Sequence, residues 1–463
     1  MEKYLEKERK LSVLGNFDVI VAGGGTAGFA AAIASARKGS KTLVVERMNC
    51  LGGQITSGIM GIFCAINDRD KIVIKGLPEE FFNRLYKQGG VKDPDFSKTQ
   101  FIDYDAEAAK NLINDMILEE PNLTVLYETW IAGAIVDGEK VSGIIVENKS
   151  GRSVYYGKCI VDATADADVV HYSRGEYVKI PKEDVHPVTL ITKLSGIDKK
   201  KMFAYYKKHP ESVHNSPTCS WVEGIFHKFR IVEELKGVEL PPEYEYLREW
   251  FMLIYETPRD GEMYLNMTGQ TNVDGTNAME ISEALTISRK RIAQCLDVLK
   301  KIIPGFENSY VVATASMLGI RETRQIVGKY TLTEDDLYAY KKFDDAVCSM
   351  SAPVGVHTPD GKTAKMVNPK IGQSFDIPLR SLIPIRLNGL IVAGRCISVS
   401  HIAMGATRIM PGSMSVGQGA GIAAALAVEL GVEPRYIPVD KLKESLLAKN
   451  VNLQKVNLER DSK

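Results

Sequence analysis

The sequence predicts an α/β fold: a Rossmann-type dinucleotide-binding sheet with a β-meander insertion, joined to a mixed α+β substrate-capping domain. Three observations predict it. An apolar strand runs through a glycine turn into a helix at 17–39, short β-rich runs separated by turn signals fill 123–161, and charged helical stretches alternate with strand-like runs across 185–380. The implied organisation is an N-terminal extension (1–16), a dinucleotide-binding domain in two pieces (17–184 and 381–430) around the capping domain (185–380), and a C-terminal helical tail (431–463).

The first unit is built as follows. FDVIVA at 17–22 is an apolar, β-branched run of the kind that fills a strand buried on both faces. It enters Gly23-Gly24-Gly25-Thr26-Ala27-Gly28 and then FAAAIASARKG, a small-residue helix ending at Gly39. In such a turn Gly23 makes the tight bend, Gly25 lets backbone N–H groups of Thr26 and Ala27 approach a pyrophosphate, and Gly28 lets helix pack on strand. The helix N-terminus, with its unsatisfied amides and positive dipole end, favours an anion. The strand KTLVVE then ends at Glu46, placed where a carboxylate meets a ribose hydroxyl in this fold. Glycine-rich turns are common, so the weight rests on this one lying between a strand and a helix with an acidic residue at the right distance.

After Glu46 comes Arg47-Met48-Asn49-Cys50-Leu51-Gly52-Gly53-Gln54-Ile55-Thr56-Ser57-Gly58. Its glycines relieve side-chain bulk where backbone approaches a ligand, and simple NAD-binding units usually lack such a segment, so an extended flavin cofactor explains it better. AGGGTAGFAAA followed by VVERMNCLGGQITSG resembles the FAD-dependent oxidoreductase family related to fumarate-reductase-type flavoproteins. The resemblance implies FAD as the cofactor and extends to IVDATADAD at 160–168, similar to the family's second dinucleotide motif, with Ala163, Thr164 and Asp166 near the cofactor. Ala165 stands where that motif usually has glycine. GLIVAGRCISVSHIAMGATRIMPGSMSVGQGAG at 389–421 is similar to the family's flavin-contacting segment, which assigns Gly394, Arg395, Pro411, Gly412 and Met414 to the cofactor.

Read from the residues alone, LIVA at 390–393 is a further buried strand, and Pro411-Gly412-Ser413 precedes a small-residue helix with Ser415 and Gln418 as a capping box. That helix either points its positive end at the flavin pyrimidine or simply packs in the core. GQGAG at 417–421 reads as close helix packing, because no strand enters it.

Elsewhere, DAEAAKNLINDMILE at 105–119 predicts a helix with an Asp start. Asp137-Gly138 and Lys149-Ser150-Gly151 mark turns between strands of the meander. Because flavin segments lie on both sides of it, the 185–380 insert should cap the flavin ring and form a substrate cleft.

Composition narrows the function classes. Lys plus Arg (58) equal Asp plus Glu (58) and 44% of residues are hydrophobic, which gives no basic field for nucleic acid. The seven cysteines, Cys219 among them, show no C-x-x-C pair, which argues against a zinc site, a disulfide framework or iron–sulfur clusters. The charged N-terminus and the lack of any run approaching the ~20 apolar residues of a membrane span read as a soluble, cytoplasmic protein. No metal is expected; a small-molecule substrate is, with a homo-oligomer or redox partner protein left open.

Three side chains are candidates for catalysis. The resemblance implies that His401 lies near the flavin, where an imidazole can exchange a proton at neutral pH; the alternative is a hydrogen-bonded structural histidine. Arg408 and Arg321 are suited to clamp an anionic substrate; the alternative is that Arg321 and Glu322 belong to a salt-bridge network joining domains. The function expected is hydride transfer between FAD and a small organic substrate. An electron-transfer subunit like the flavoprotein of heterodisulfide reductases and a non-catalytic flavin redox sensor are the rivals.

Overall fold

Strand β1 (Ser12–Ala22) enters the Gly23–Gly25 turn and helix α1 (Thr26–Arg37), so the apolar run, the glycines and the small-residue helix fall as the sequence dictates. The computed structural model describes all residues except 1–3, 93–94, 98, 100, 215–220, 223–224, 230, 232, 250–252, 359, 363 and 454–463, so Cys219 and the end of the tail lie outside the described residues. β1 starts five residues before the predicted run, because its first half pairs with Ser153–Gly157. That half is mostly exposed and so carries no apolar signature.

Strand β2 (Thr42–Val45), helix α2 (Ala106–Leu118) and strands β3 (Leu123–Leu126), β4 (Trp130–Asp137), β5 (Lys140–Asn148) and β6 (Gly151–Asp162) follow. Strand β7 (Leu390–Val392) returns from far along the chain. The sheet order is β3-β2-β1-β6-β5-β4, with β7 also on β6. The β3–β2, β2–β1, β1–β6 and β6–β7 pairs are parallel, whereas β4, β5 and β6 form the antiparallel meander, which begins at Trp130 and not at 123 as expected, because Leu123–Leu126 pairs parallel with β2. β6 thus shares one edge: its first half takes β5, and residues 160–162 take β7. Asp105 caps α2 by accepting the Glu107 and Ala108 amides, as its position before the helix predicts.

Helices α3 (His401–Thr407) and α4 (Met410–Leu430) follow β7. α1 and α4 pack backbone to backbone: a Cβ on Gly417 or Gly421 would collide with the carbonyls of Ala27 and Ala31. The glycines of GQGAG are therefore packing glycines, as read from the sequence. α4 is long and apolar enough to cross a membrane by length and composition, which the sequence reading did not anticipate, but 83% of its most apolar window is buried inside the fold. The capping box is a correction. α4 begins at Met410, with Pro411 in its first turn and no side-chain cap, so Ser415 and Gln418 lie inside the helix. The Ser415 hydroxyl donates to the Pro411 carbonyl, and Gln418 accepts the Leu77 amide.

The second sheet is antiparallel, running in space through 221–222, 225–229, 253–256, 263–266, 192–195 and 310–314. Its own core includes Leu194, Met202, Leu265, Val298 and Phe306, with the long helix Ala278–Ile302 packed over it. It is tied to the first half where the Ala106 amide donates to the Tyr264 hydroxyl (3.3 Å) and the Ser316 amide to the Ser57 carbonyl (2.8 Å).

Ala165, in the turn after β6, adopts φ +68°, a left-handed conformation that disfavours a Cβ. Ala165→Gly should therefore stabilise the protein by about 0.5–1 kcal/mol, read as a rise in thermal midpoint; an unchanged or lower midpoint would show that the turn carries no such strain.

Candidate functional site

The glycine turn is held open from behind. Glu46, 7% exposed, accepts the Gly24 amide through Oε2 (2.7 Å) and the Met48 amide through Oε1 (2.8 Å), which fixes its carboxylate against the turn. Each oxygen keeps a lone pair for a ribose hydroxyl. The Gly52-Gly53 loop closes on the same turn: the Gly52 amide donates to the Gly24 carbonyl (2.8 Å), and the Thr26 hydroxyl donates to the Gly52 carbonyl (3.0 Å). Gly53 packs on Gly25, where a Cβ would stand 2.9 Å from the Gly25 Cα. The glycines of this loop thus make room first for the other glycine loop. Gln54 follows in a short 3-10 turn.

The three glycines of the turn differ in what faces them. A Cβ on Gly23 would meet the Ala163 carbonyl at 2.6 Å, and one on Gly28 would collide with the Gly23 carbonyl, but nothing lies within 4 Å of one on Gly25. Neither α1 nor α4 has a side-chain N-cap or an acidic residue in its first turn, so neither helix supplies its own counter-charge. Open space before Gly25, bare amides at α1 and a ribose-ready carboxylate at Glu46 fit the diphosphate and sugar of a dinucleotide.

The second motif is anchored differently. Ala163 donates its amide to the Ala22 carbonyl (2.8 Å), while Thr164 gives its amide (3.1 Å) and hydroxyl (2.7 Å) to Asp162. Asp166 accepts Arg395 Nη2 (2.6 Å) and the Thr323 hydroxyl (2.7 Å), so Asp166 and Arg395 are committed to each other. Arg324 donates to Asp168 (2.9 Å) and to the Asp166 carbonyl (2.9 Å). The salt-bridge role raised for Arg321 therefore belongs to Arg324. Arg47 lies over the Trp130 ring at 5.2 Å, Gly394 (φ +90°) abuts Ala27, a Cβ on Gly412 would collide with Met350, and Met414 is fully buried.

The catalytic candidates do converge. His401, at the start of α3, donates from Nδ1 to Glu322 Oε1 at 2.9 Å, and Glu322 is 3% exposed. This hydrogen bond and the Glu322 charge raise the His401 pKa above its ordinary value. Arg408 and Arg321 have no ion-pair partner among the described residues, although Arg321 donates to the Pro187 carbonyl. Burial, then the charge of Arg408, pulls Arg321 down to about 9; burial pulls Arg408 down to about 10, partly countered by Glu322.

Two histidines that sequence reasoning missed complete the cluster. His186 lies 5.3 Å from His401 and 5.7 Å from His357 between ring centroids. Burial, reinforced by the two arginines, pushes both His186 and His357 far below the usual histidine range, so they are neutral. His186, Glu322 and His401 each offer a ligand atom within 4.8 Å of the others, so this group has the composition of a metal site, where none was expected. No spacing in the sequence announces His186 or His357: each is a lone histidine in a loop or edge segment.

A dinucleotide cradle together with a partly buried cluster of protonatable side chains fits a nucleotide-dependent redox protein. The chain belongs to the FAD dependent oxidoreductase family, which residues 18–446 match, and its cofactor is FAD. Among solved structures it is similar to a geranylgeranyl bacteriochlorophyll reductase-like protein from Thermoplasma acidophilum (12% identity, 94% of this chain and 87% of that one, TM-score 0.47). It is also similar to the myxobacterial chondrochloren halogenase (13%, 93% and 78%, 0.45) and to p-nitrophenol 4-monooxygenase from Pseudomonas putida (12%, 94% and 89%, 0.44).

Gly25→Val puts its Cβ where no other protein atom lies within 4 Å. The variant should fold with an unchanged circular dichroism spectrum yet be purified with less than a tenth of the wild-type flavin; full flavin content would remove the diphosphate from this position. Glu46→Ala, which strips the Gly24 amide of its charged acceptor, should weaken FAD binding at least tenfold, about 1.4 kcal/mol, by fluorescence titration.

Proposed function

We propose that the protein is an enzyme transferring a hydride between FAD and a small organic substrate, with His401 exchanging the accompanying proton. The observation that supports it is the 2.9 Å His401–Glu322 pair, partly accessible on the His401 side and buried on the Glu322 side. Bound FAD supplies the hydride acceptor or donor; the chain supplies position and protons. Glu322 holds the ring in one orientation, fixes the proton on Nδ1 and favours the imidazolium. The start of α4, which supplies no counter-charge of its own, would stabilise negative charge on the flavin pyrimidine, with Pro411 and Gly412 in its first turn.

The 185–380 segment, in this reading, caps the flavin ring and brings Arg321 and Glu322 to a substrate cleft whose His401 and Arg408 come from the 381–430 piece. The balanced net charge supports a small molecule over nucleic acid as partner, and the six described cysteines, all free, suit a reducing compartment such as the cytoplasm.

The test is anaerobic: the purified yellow protein is mixed with a metabolite panel including NADH and NADPH, and loss of flavin absorbance is followed. Catalytic turnover by one member supports an enzyme; a flavin reduced by none, but by a protein partner, would favour an electron carrier instead. The proton role has its own signature. A reaction that uses the His401 imidazolium holds its rate up to the raised His401 pKa and declines as pH rises through it. Glu322→Gln should move that alkaline limb to lower pH by about one unit, leaving flavin content unaltered. A limb that stays in place would assign the proton elsewhere.

A further inference from the structure

We infer that the site formed by Arg321, Arg408, His186, His401 and Glu322 takes a small hydroxycarboxylate rather than a divalent cation. The inference rests on the enzyme reading above and names the substrate class of that same site.

The composition of His186, Glu322 and His401 suits a metal, but the proton positions do not. His186 Nδ1 accepts the His357 amide at 3.4 Å. In the neutral ring that burial enforces, the proton then sits on Nε2, and a nitrogen carrying hydrogen is a donor and not a ligand. His186 is 2% exposed and its Nε2 is buried without a partner, as is the Nε–H of Arg408. Two buried donors thus lack acceptors. A buried donor left unsatisfied destabilises by about 1–3 kcal/mol, so an acceptor belongs there.

Charge points the same way. Arg408 repels Arg321, and both oppose a proton on His186; Glu322 is the buried carboxylate beside Arg408 and His401, while Asp184 and Glu334 act on His401 from less buried positions. A divalent cation would be repelled by two guanidiniums that have no ion-pair partner among the described residues; a carboxylate would pair with them, and guanidinium is the group that best matches carboxylate geometry. One atom has the opposite need. Glu322 Oε2 is buried with no donor, and a second carboxylate would repel it. A hydroxyl on the ligand satisfies it, whereas an ammonium would restore the positive charge that the carboxylate had cancelled. Carboxylate and hydroxyl on one small molecule therefore answer all three unpartnered atoms.

The experiment is isothermal titration calorimetry of the FAD-loaded protein with glycolate, lactate, propionate, alanine and Zn²⁺. Glycolate or lactate should bind at least tenfold more tightly than propionate or alanine. Arg408→Gln should weaken that binding at least tenfold with flavin content retained, and Glu322→Gln should narrow the margin of lactate over propionate. Stoichiometric Zn²⁺ binding that disappears in His186→Phe, equal binding of lactate and propionate, or loss of FAD in Arg408→Gln would each overturn the inference. A yellow protein indifferent to every carboxylate sinks this inference alone, whereas a chain that binds no FAD sinks the enzyme reading beneath it.

Discussion

The close contact of α1 with α4 is the constraint on which the rest of the molecule depends. Helix axes approach this nearly only when no Cβ stands between them, and Gly417 and Gly421 remove theirs opposite the Ala27 and Ala31 carbonyls. The two helices come from opposite ends of the chain. Their contact fixes where the α3–α4 segment, with His401 and Arg408, lies relative to the glycine turn that opens α1. Strand β7, parallel to residues 160–162 of β6, fixes the same return from the sheet side. Cradle and chemical cluster are consequently parts of one packed unit, although more than 350 residues separate Gly25 from Arg408.

Two electrostatic regimes lie side by side in this unit. Around the dinucleotide turn the charges are balanced locally: Glu46 takes two backbone amides, Arg395 pairs with Asp166 and Arg324 with Asp168. Behind it, Arg321 and Arg408 have no ion-pair partners among the described residues, and two histidines beside them are forced neutral. Structural arginines are normally satisfied by carboxylates in place. A pair left uncompensated, next to a His–Glu pair, is the pattern of a site that waits for a charge brought from outside.

Much of the fold was legible because it is made of local signals. The apolar run before Gly23, the small-residue helix after Gly28, the Asp105 cap and the turns at Gly138 and Gly151 each act within a few residues. The failures have physical causes too. The exposed half of β1 has no apolar pattern, since its stability comes from pairing with β6. Ser415 and Gln418 have capping-box spacing, yet Pro411 is pre-organised for a first turn, and the helix starts at Met410 instead.

The sequence by itself determined the dinucleotide unit, because the turn, the helix and the carboxylate of Glu46 lie within one short stretch whose spacing is imposed by the ligand. It also named His401, Arg321 and Arg408 as candidates, without deciding among their possible roles. Only the tertiary structure decided that Arg324 carries the salt bridge while Arg321 turns to the cluster, and that His186 and His357 join it. Those residues come from four distant segments with no common period, and an isolated histidine in a loop acquires its chemistry from what packs against it.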